Sequence, residues 1–350
     1  MKQKVAFLLA LTMLGTLSAC GGSTNSESKG EVNVYNWGEY IDEDLLKEFE
    51  DETGITVNYS TYSDNESMYA TLKSGANGYD VIIPSDYMIS RMIDEDMLEE
   101  LNFDNIPNYE YIDEDYRGLA YDPEDKYSVA YTWGTVGIVY NTTMIDYVPD
   151  SWDILWDESL AGQILMFDNS RDAIGIGLLK LGYSLNTTNE EEIKEAVDQL
   201  IAQKSLVQAY VMDQIFDKLE AGEAAVGPYY AGDALTMIDE NPDLAFVVPK
   251  EGTNSYVDAM CIPKGAKNKE NAEAFINFMC KPEVSAANIT CIQYSTPESA
   301  ARDLLDDDLK NSEICYPSAE IMANTEVYIN LPQDILDLYD SEWMRLKAAN

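Results

Sequence analysis

Histidine is missing from all 350 residues. The commonest general base and the commonest zinc ligand go with it, and Ser-His-Asp and Cys-His catalysis are excluded outright. Cysteine is scarce. After Cys20 only Cys261, Cys280, Cys291 and Cys315 remain, none in a C-x-x-C pair, so no thiolate metal site is expected. Those four can form one or two disulfides, in three connectivities if all pair, or stay as buried free thiols. Basic side chains are also few: 22 Lys and Arg stand against 64 Asp and Glu, for a formal net charge of −42. Such a field repels nucleic acid and anionic lipid and attracts cations, although most of these acids simply solvate a surface. No apolar run after residue 20 approaches the ~20 residues that cross a bilayer. Neither a metal nor a cofactor is expected.

The N-terminus is different. Lys2 and Lys4 lead into an apolar run from Val5 to Leu17, closed by Leu17-Ser18-Ala19-Cys20. A basic start, a short apolar core and small residues before the break read as a secretory signal, residues 1–20, too short for a permanent span. Its last four residues resemble the lipobox of bacterial lipoproteins, in which the cysteine is lipidated and becomes the new N-terminus. Losing Lys2 and Lys4 with the signal takes the mature part to −44. Residues 21–30, dominated by Asn, Ser and Gly, have the composition of a flexible linker. The expectation is an extracytoplasmic domain tethered to the membrane at Cys20, whose class carries several acyl chains because one holds weakly.

Strand and helix signals alternate from residue 31 onward. Val32 and Val34 recur every second residue; Ile41, Leu45 and Phe49 recur every fourth and stop near Gly54. Ile55 to Tyr59 is β-rich, Met68 and Leu72 suggest a second helix, and Val81-Ile82-Ile83 is a short apolar run ended by Pro84, as in a buried parallel strand. Helical spacing returns at Ile193–Ile201, Met212–Leu219, Ala272–Met279 and Ile335–Leu346, and Phe246-Val247-Val248 reads as a strand. Asp104 to Asp125, rich in Asp, Tyr and Pro, reads as a long surface loop. The class is α/β with a parallel sheet. With 46% hydrophobic residues, the chain has core material for two lobes of ordinary domain size.

Polar aromatics and carboxylates gather where strands end. Trp37-Gly38-Glu39-Tyr40 follows the first strand, Ser85-Asp86-Tyr87 follows Val81–Ile83, and Asp168-Asn169-Ser170-Arg171-Asp172 follows Ile164–Phe167. Tyr229-Tyr230 follows Ala225-Val226, and Tyr256-Val257-Asp258 precedes Ala259-Met260. Open α/β sheets bind ligands at the carboxyl ends of their strands. Carboxylates interleaved with Trp and Tyr there suit an organic ammonium. The acids neutralise its charge, and each aromatic face adds roughly 0.5–2 kcal/mol.

Several segments carry a family resemblance: Val34-Tyr35-Asn36-Trp37-Gly38-Glu39-Tyr40-Ile41, Tyr79-Asp80-Val81-Ile82-Ile83-Pro84-Ser85, Val248-Pro249-Lys250-Glu251-Gly252 and Tyr294-Ser295-Thr296-Pro297. The chain resembles, over its whole mature length, the substrate-binding lipoproteins of bacterial spermidine/putrescine ABC transporters. The resemblance implies a two-lobed, type II periplasmic-binding-protein-like fold, made of two mixed-sheet α/β domains with crossing hinge segments. Lobe 1 would hold residues 31–137 and 258–303, and lobe 2 residues 138–257 and 304–350. Crossings are expected near Val136–Tyr140, Tyr256–Met260 and Ala301–Asp307. The resemblance further implies a ligand box of Trp37, Tyr40, Ser85, Tyr87, Asp172, Tyr230, Tyr256, Asp258 and Tyr294, with Asp258 the chief ammonium carboxylate, and Glu39 joins it from the first strand end. Two wall tryptophans of the family stand here as Tyr230 and Tyr256. A family Asp falls on Asn169, with Asp168 one residue earlier, and a family glutamine falls on Ile329. Asp86 and Asp168 are added as acids that can rebuild the altered subsite.

The reading is therefore a monomeric, lipid-anchored receptor that hands a polyamine to ABC permease subunits, and not an enzyme. A ferric-ion receptor of the same fold using Tyr229-Tyr230 is one rival. A secreted glycosidase using Asp168 and Asp172 is the other.

Overall fold

The computed structural model describes residues 29–75 and 78–349, so the signal, Cys20 and most of the expected linker lie outside the described residues. Strand β1 (Glu31–Trp37) buries Val32 and Val34 completely. Helix α1 (Glu43–Thr53) starts where Asp42 Oδ1 accepts from the Asp44 backbone N–H at 3.0 Å, a cap worth about 1 kcal/mol. It turns Leu45 and Phe49 inward and stops at Gly54, whose φ of 75° costs glycine little. β2 (Thr56–Tyr62) lies parallel to β1, in register from Glu31 against Thr56 to Trp37 against Tyr62. Helix α2 (Asn65–Lys73), capped by Asp64, leads to β3 (Val81–Ile82), parallel to β1, and to α3 (Asp86–Asp94). The expected loop at 104–125 carries short 3-10 turns at Phe103–Asn105, Pro107–Tyr111 and Glu114–Tyr116.

The long strand β4 (Ser128–Asn141) follows, then β5 (Ile164–Phe167), α4 (Ser170–Lys180), α5 (Glu190–Gln203), β6 (Val207–Val211) and α6 (Gln214–Glu220). β7 (Val226–Tyr230), α7 (Ala231–Glu240), β8 (Leu244–Val247) and β9 (Thr253–Cys261) come next. α8 (Lys269–Met279), α9 (Pro282–Ile292), the short β10 (Thr325–Glu326) and a C-terminal helix, Gln333–Ala348, complete the chain.

The strand order is β2-β1-β3-β9-β4-β7-β5-β6, with β8 beside β4 and β10 beside β9. Strand–helix alternation predicts a parallel sheet, and β1, β2, β3 and β5, β6, β7 obey it. β4 and β9 do not: they run antiparallel to each other and to their other main neighbours, which makes the sheet mixed. β4 belongs to both halves of the fold. Ser128 to Thr135 pair with β9, whereas Val136 to Asn141 pair with β7 and β8. This partner switch makes the molecule two-lobed.

A third passage between the halves comes later than Ala301–Asp307. Ser299 still donates its backbone N–H to Asp113 at 2.9 Å, and Tyr316 Oη still accepts from Thr296 N–H at 3.3 Å, both first-lobe partners. Only at Asn324, whose side chain donates to the Lys250 carbonyl at 3.0 Å, is the chain on the other side. The four cysteines are separate thiols, with Cys261, Cys280 and Cys315 buried and Cys291 exposed. No helix among the described residues is long and apolar enough to cross a membrane.

Candidate functional site

The first wall starts where β1 and β2 end side by side. Trp37 Nε1 and Tyr62 Oη both donate to the Ile83 carbonyl, at 2.8 and 2.7 Å, so the indole is pinned upright beside the Tyr62 ring, centroids 4.8 Å apart. Tyr40 is buried and donates its hydroxyl to Asp258 Oδ2 at 2.6 Å, with Thr132 also in contact. Ser85 stands at the N-terminus of α3 without capping it; its Oγ instead accepts from Asn65 Nδ2 at 3.0 Å. Asp86 accepts from the backbone N–H groups of Tyr87 and Val257, at 2.7 and 3.1 Å, which ties α3 to β9. Burial pushes its carboxyl up to about 8. Tyr87 Oη donates to Glu66 at 2.8 Å, and burial raises Glu66 to about 7.

The second wall rises from the start of α4 and the end of β7. Asn169 caps α4: its Oδ1 accepts from the Asp172 backbone N–H at 2.8 Å, and its Nδ2 donates to Asp172 Oδ2 at 2.8 Å. Tyr230 Oη donates to the same Oδ2 at 2.7 Å. Burial raises the Asp172 pKa, and these bonds and the Arg171 guanidinium oppose the rise.

Between the walls lies β9. Tyr256 meets Tyr230 edge-on at 5.6 Å and rests on Gly134 of β4, where a Cβ would sit 2.7 Å from its hydroxyl. Tyr294 meets Tyr40 edge-on at 4.7 Å and lies across Gly232, where a Cβ would come within 2.1 Å of the ring. Asp258 is only 4% exposed, and its Oδ1 has no hydrogen-bond partner. Burial raises it to about 6, with Ser85 and Tyr40 pulling down and Asp172 pushing up.

Ten of the twelve expected residues line this one cleft; Glu39 and Asp168 do not. Asp168 points away and pairs with Lys347 of the C-terminal helix at 2.5 Å, because it precedes the Asn169 cap instead of sitting inside the turn. Glu39, exposed in a left-handed turn at φ 48°, faces a neighbouring recess. Tyr229 and Tyr230 close β7 instead of following it, and Tyr256 and Asp258 lie within β9. Ile329 is half exposed, and its neighbour Tyr328 lines the cleft in its place. Reading strand ends overlooked Asn65, Glu66, Asp213 and Asp233, although each follows closely on the end of a strand. The lining holds seven carboxylates, from Asp64 to Asp258, and no Lys or Arg. Such a cleft attracts cations.

Residues 44–315 match the bacterial extracellular solute-binding protein family. The chain belongs to that family. It is 35% identical over 341 residues to the spermidine/putrescine-binding periplasmic protein of Escherichia coli K12, covering 97% of this chain and 98% of the relative. A solved structure from Listeria monocytogenes is 41% identical, with a TM-score of 0.88 over 91% of this chain and 99% of that one. The PotD lipoprotein of Treponema pallidum is 30% identical, with a TM-score of 0.81 over 90% and 99%.

For this solute-binding protein the two rival sites lose their geometry. Tyr229 donates to Asp213 at 3.3 Å while Tyr230 donates to Asp172, so the adjacent phenols serve separate carboxylates. No group of three or more His, Cys, Asp or Glu among the described residues is placed to hold a metal. The Asp168–Asp172 pair does not exist as a pair, since Asp168 lies outside the cleft.

Proposed function

We propose that this solute-binding protein captures a polyamine of the putrescine–spermidine class and delivers it to the membrane permease of an ABC transporter. The observation that carries the reading is Asp258 Oδ1, a buried carboxylate oxygen with no partner, in a cleft lined by phenols and by no cation. An unpaired buried charge is expensive, and an ammonium is the guest that completes it. Tyr40, Tyr230, Tyr256 and Tyr294 supply rings that hold methylenes and cations alike. The name of the Escherichia coli relative supports the same ligand class.

Asp258 and Tyr40 stand on one side of the cleft, Asp172 and Tyr230 on the other. A linear amine that touches both sides favours the closed arrangement by contacts made only there. Attachment at Cys20 outside the cytoplasm is part of the proposal. It is supported by Leu17-Ser18-Ala19-Cys20 and by the Treponema pallidum relative's description as a lipoprotein.

The test is calorimetric titration with putrescine, cadaverine, spermidine and spermine, with ferric citrate and a neutral sugar as controls. Saturable one-to-one binding of a polyamine at about micromolar or tighter, roughly −8 kcal/mol, is the expected outcome. Heat with ferric citrate alone would overturn the reading.

A further inference from the structure

Among the described residues Arg171 is the only buried Lys or Arg, at 3% exposed, and none of its three guanidinium nitrogens has a hydrogen-bond partner. An unpaired buried charge is costly, so something other than hydrogen bonds holds it. Three tyrosine rings do so. The guanidinium carbon lies 5.3, 4.4 and 5.2 Å from the ring centroids of Tyr87, Tyr328 and Tyr339. Tyr87 and Tyr328 line the cleft, whereas Arg171 does not. The cation stands behind the wall, out of the guest's reach.

Both lobes build this cage. Arg171 lies in the first turn of α4 and Tyr339 on the C-terminal helix. Tyr328 is tied to α4, because its hydroxyl donates to the Arg171 carbonyl at 3.0 Å. These three belong to the second lobe. Tyr87 belongs to α3 of the first. With it come Glu66, which accepts from Tyr87 Oη at 2.8 Å, and Asp86, and the Arg171 charge bears on both. The same seam carries two more contacts. Tyr87 meets Tyr328 edge-on at 5.8 Å, and Asn330 Nδ2 donates to Asp94 Oδ2, at the end of α3, at 3.0 Å. Parting the lobes would strip Arg171 of one ring and two carboxylates and leave it Tyr328, Tyr339 and Asp172.

Resting on the polyamine reading above, we propose that Arg171 is a positioning residue for capture, an interlobe latch whose cage Tyr87 completes only when the cleft is shut. It holds the guest in without touching it. A contact made only in the closed arrangement acts on the closing equilibrium, so it raises affinity by the same factor for every guest that closes the cleft. One desolvated ring face under a guanidinium is worth about ten-fold. The factor belongs to the dissociation rate, since the guest enters before the latch forms.

The experiment measures calorimetric affinity and stopped-flow rates for putrescine and spermidine in the parent, Arg171→Met, Tyr87→Leu and the double variant. Arg171→Met should lose about ten-fold for both amines, with faster dissociation and an association rate changed by less than about three-fold. In the Tyr87→Leu background the same substitution should cost less than about three-fold, because the far side of the cage is already gone. A residue that only props up α4 would cost the same factor in both backgrounds, and that result overturns the latch. So does a loss confined to one amine, or no loss. A parent that binds neither amine defeats the polyamine reading itself, which separates the two failures. If Arg171→Met fails to fold by circular dichroism, Arg171→Gln takes its place under the same criteria. If Tyr87→Leu binds too weakly to titrate, Glu66→Gln replaces it, since it too removes a first-lobe partner of Arg171.

Discussion

Asp172 and Asp258 face the same cleft, the first half-buried and the second buried, and desolvation is the main cause that pushes both up. Their partners differ. Asp172 has Asn169, Tyr230 and the nearby Arg171 charge, all from its own lobe. Asp258 has Tyr40 on Oδ2 and the Ser85 hydroxyl holding its pKa down, but no hydrogen bond completes Oδ1. The fold has largely satisfied the first carboxylate and left the second incomplete. Ligand affinity concentrates where the fold leaves an acceptor unmet, because there the guest relieves a cost the empty protein already carries.

Asp258→Asn puts this contrast to its hardest test. Polyamine affinity should fall by about 2–5 kcal/mol, measured by calorimetry, with the circular dichroism spectrum unchanged. Binding equal to the parent's would end the contrast. Asp172→Asn should cost less, about 1–2 kcal/mol, since its neighbours already spread its charge. Equal losses at the two positions would break the comparison even if the ligand is right.

The acids also set a pH dependence. Asp86 at about 8, Glu66 at about 7 and Asp258 at about 6 lie above the unfolded value of about 4. Across that window the unfolded chain has released protons that the folded one keeps. The stabilisation from these groups is therefore full below about pH 4 and is lost as pH rises through 6 to 8. Thermal melts of the ligand-free protein should fall from pH 5.5 to 8.5, by roughly a few degrees. Saturating spermidine should flatten the slope, and a ligand-free melt that rises with pH would contradict the assignment. The smallest effect belongs to Asp168→Ala, which removes a surface pair with Lys347. It should cost less than about 1 kcal/mol of stability and leave polyamine affinity unchanged by the same calorimetry.

Much of this was legible in the chain. Trp37 closes and Tyr40 follows a strand whose period of two is plain, Ser85 and Tyr87 follow the apolar run at 81–83, and the helices at 43–53, 190–203 and 269–279 announce themselves by spacing. Asp168 was misplaced because only one residue separates the cap from the turn before it. A one-residue step reverses the direction in which a side chain points. Tyr256 and Asp258 defied the strand-end rule because β9 is shared between lobes, so its middle, not its end, meets the cleft. The strand-end rule could have found Asn65, Glu66 and Asp233. Each opens the helix after a strand, and at a helix start an acid reads first as a dipole partner. Tyr328 sits in an irregular segment with no periodicity to betray it.

Tyr256 rests on Gly134, two residues before β4 takes up its second set of partners at Val136. In mechanical terms the Tyr256 ring is a plate laid on the seam where β4 passes from one half of the sheet to the other. Any side chain at 134 would be a shim beneath that plate, lifting the ring off the strand.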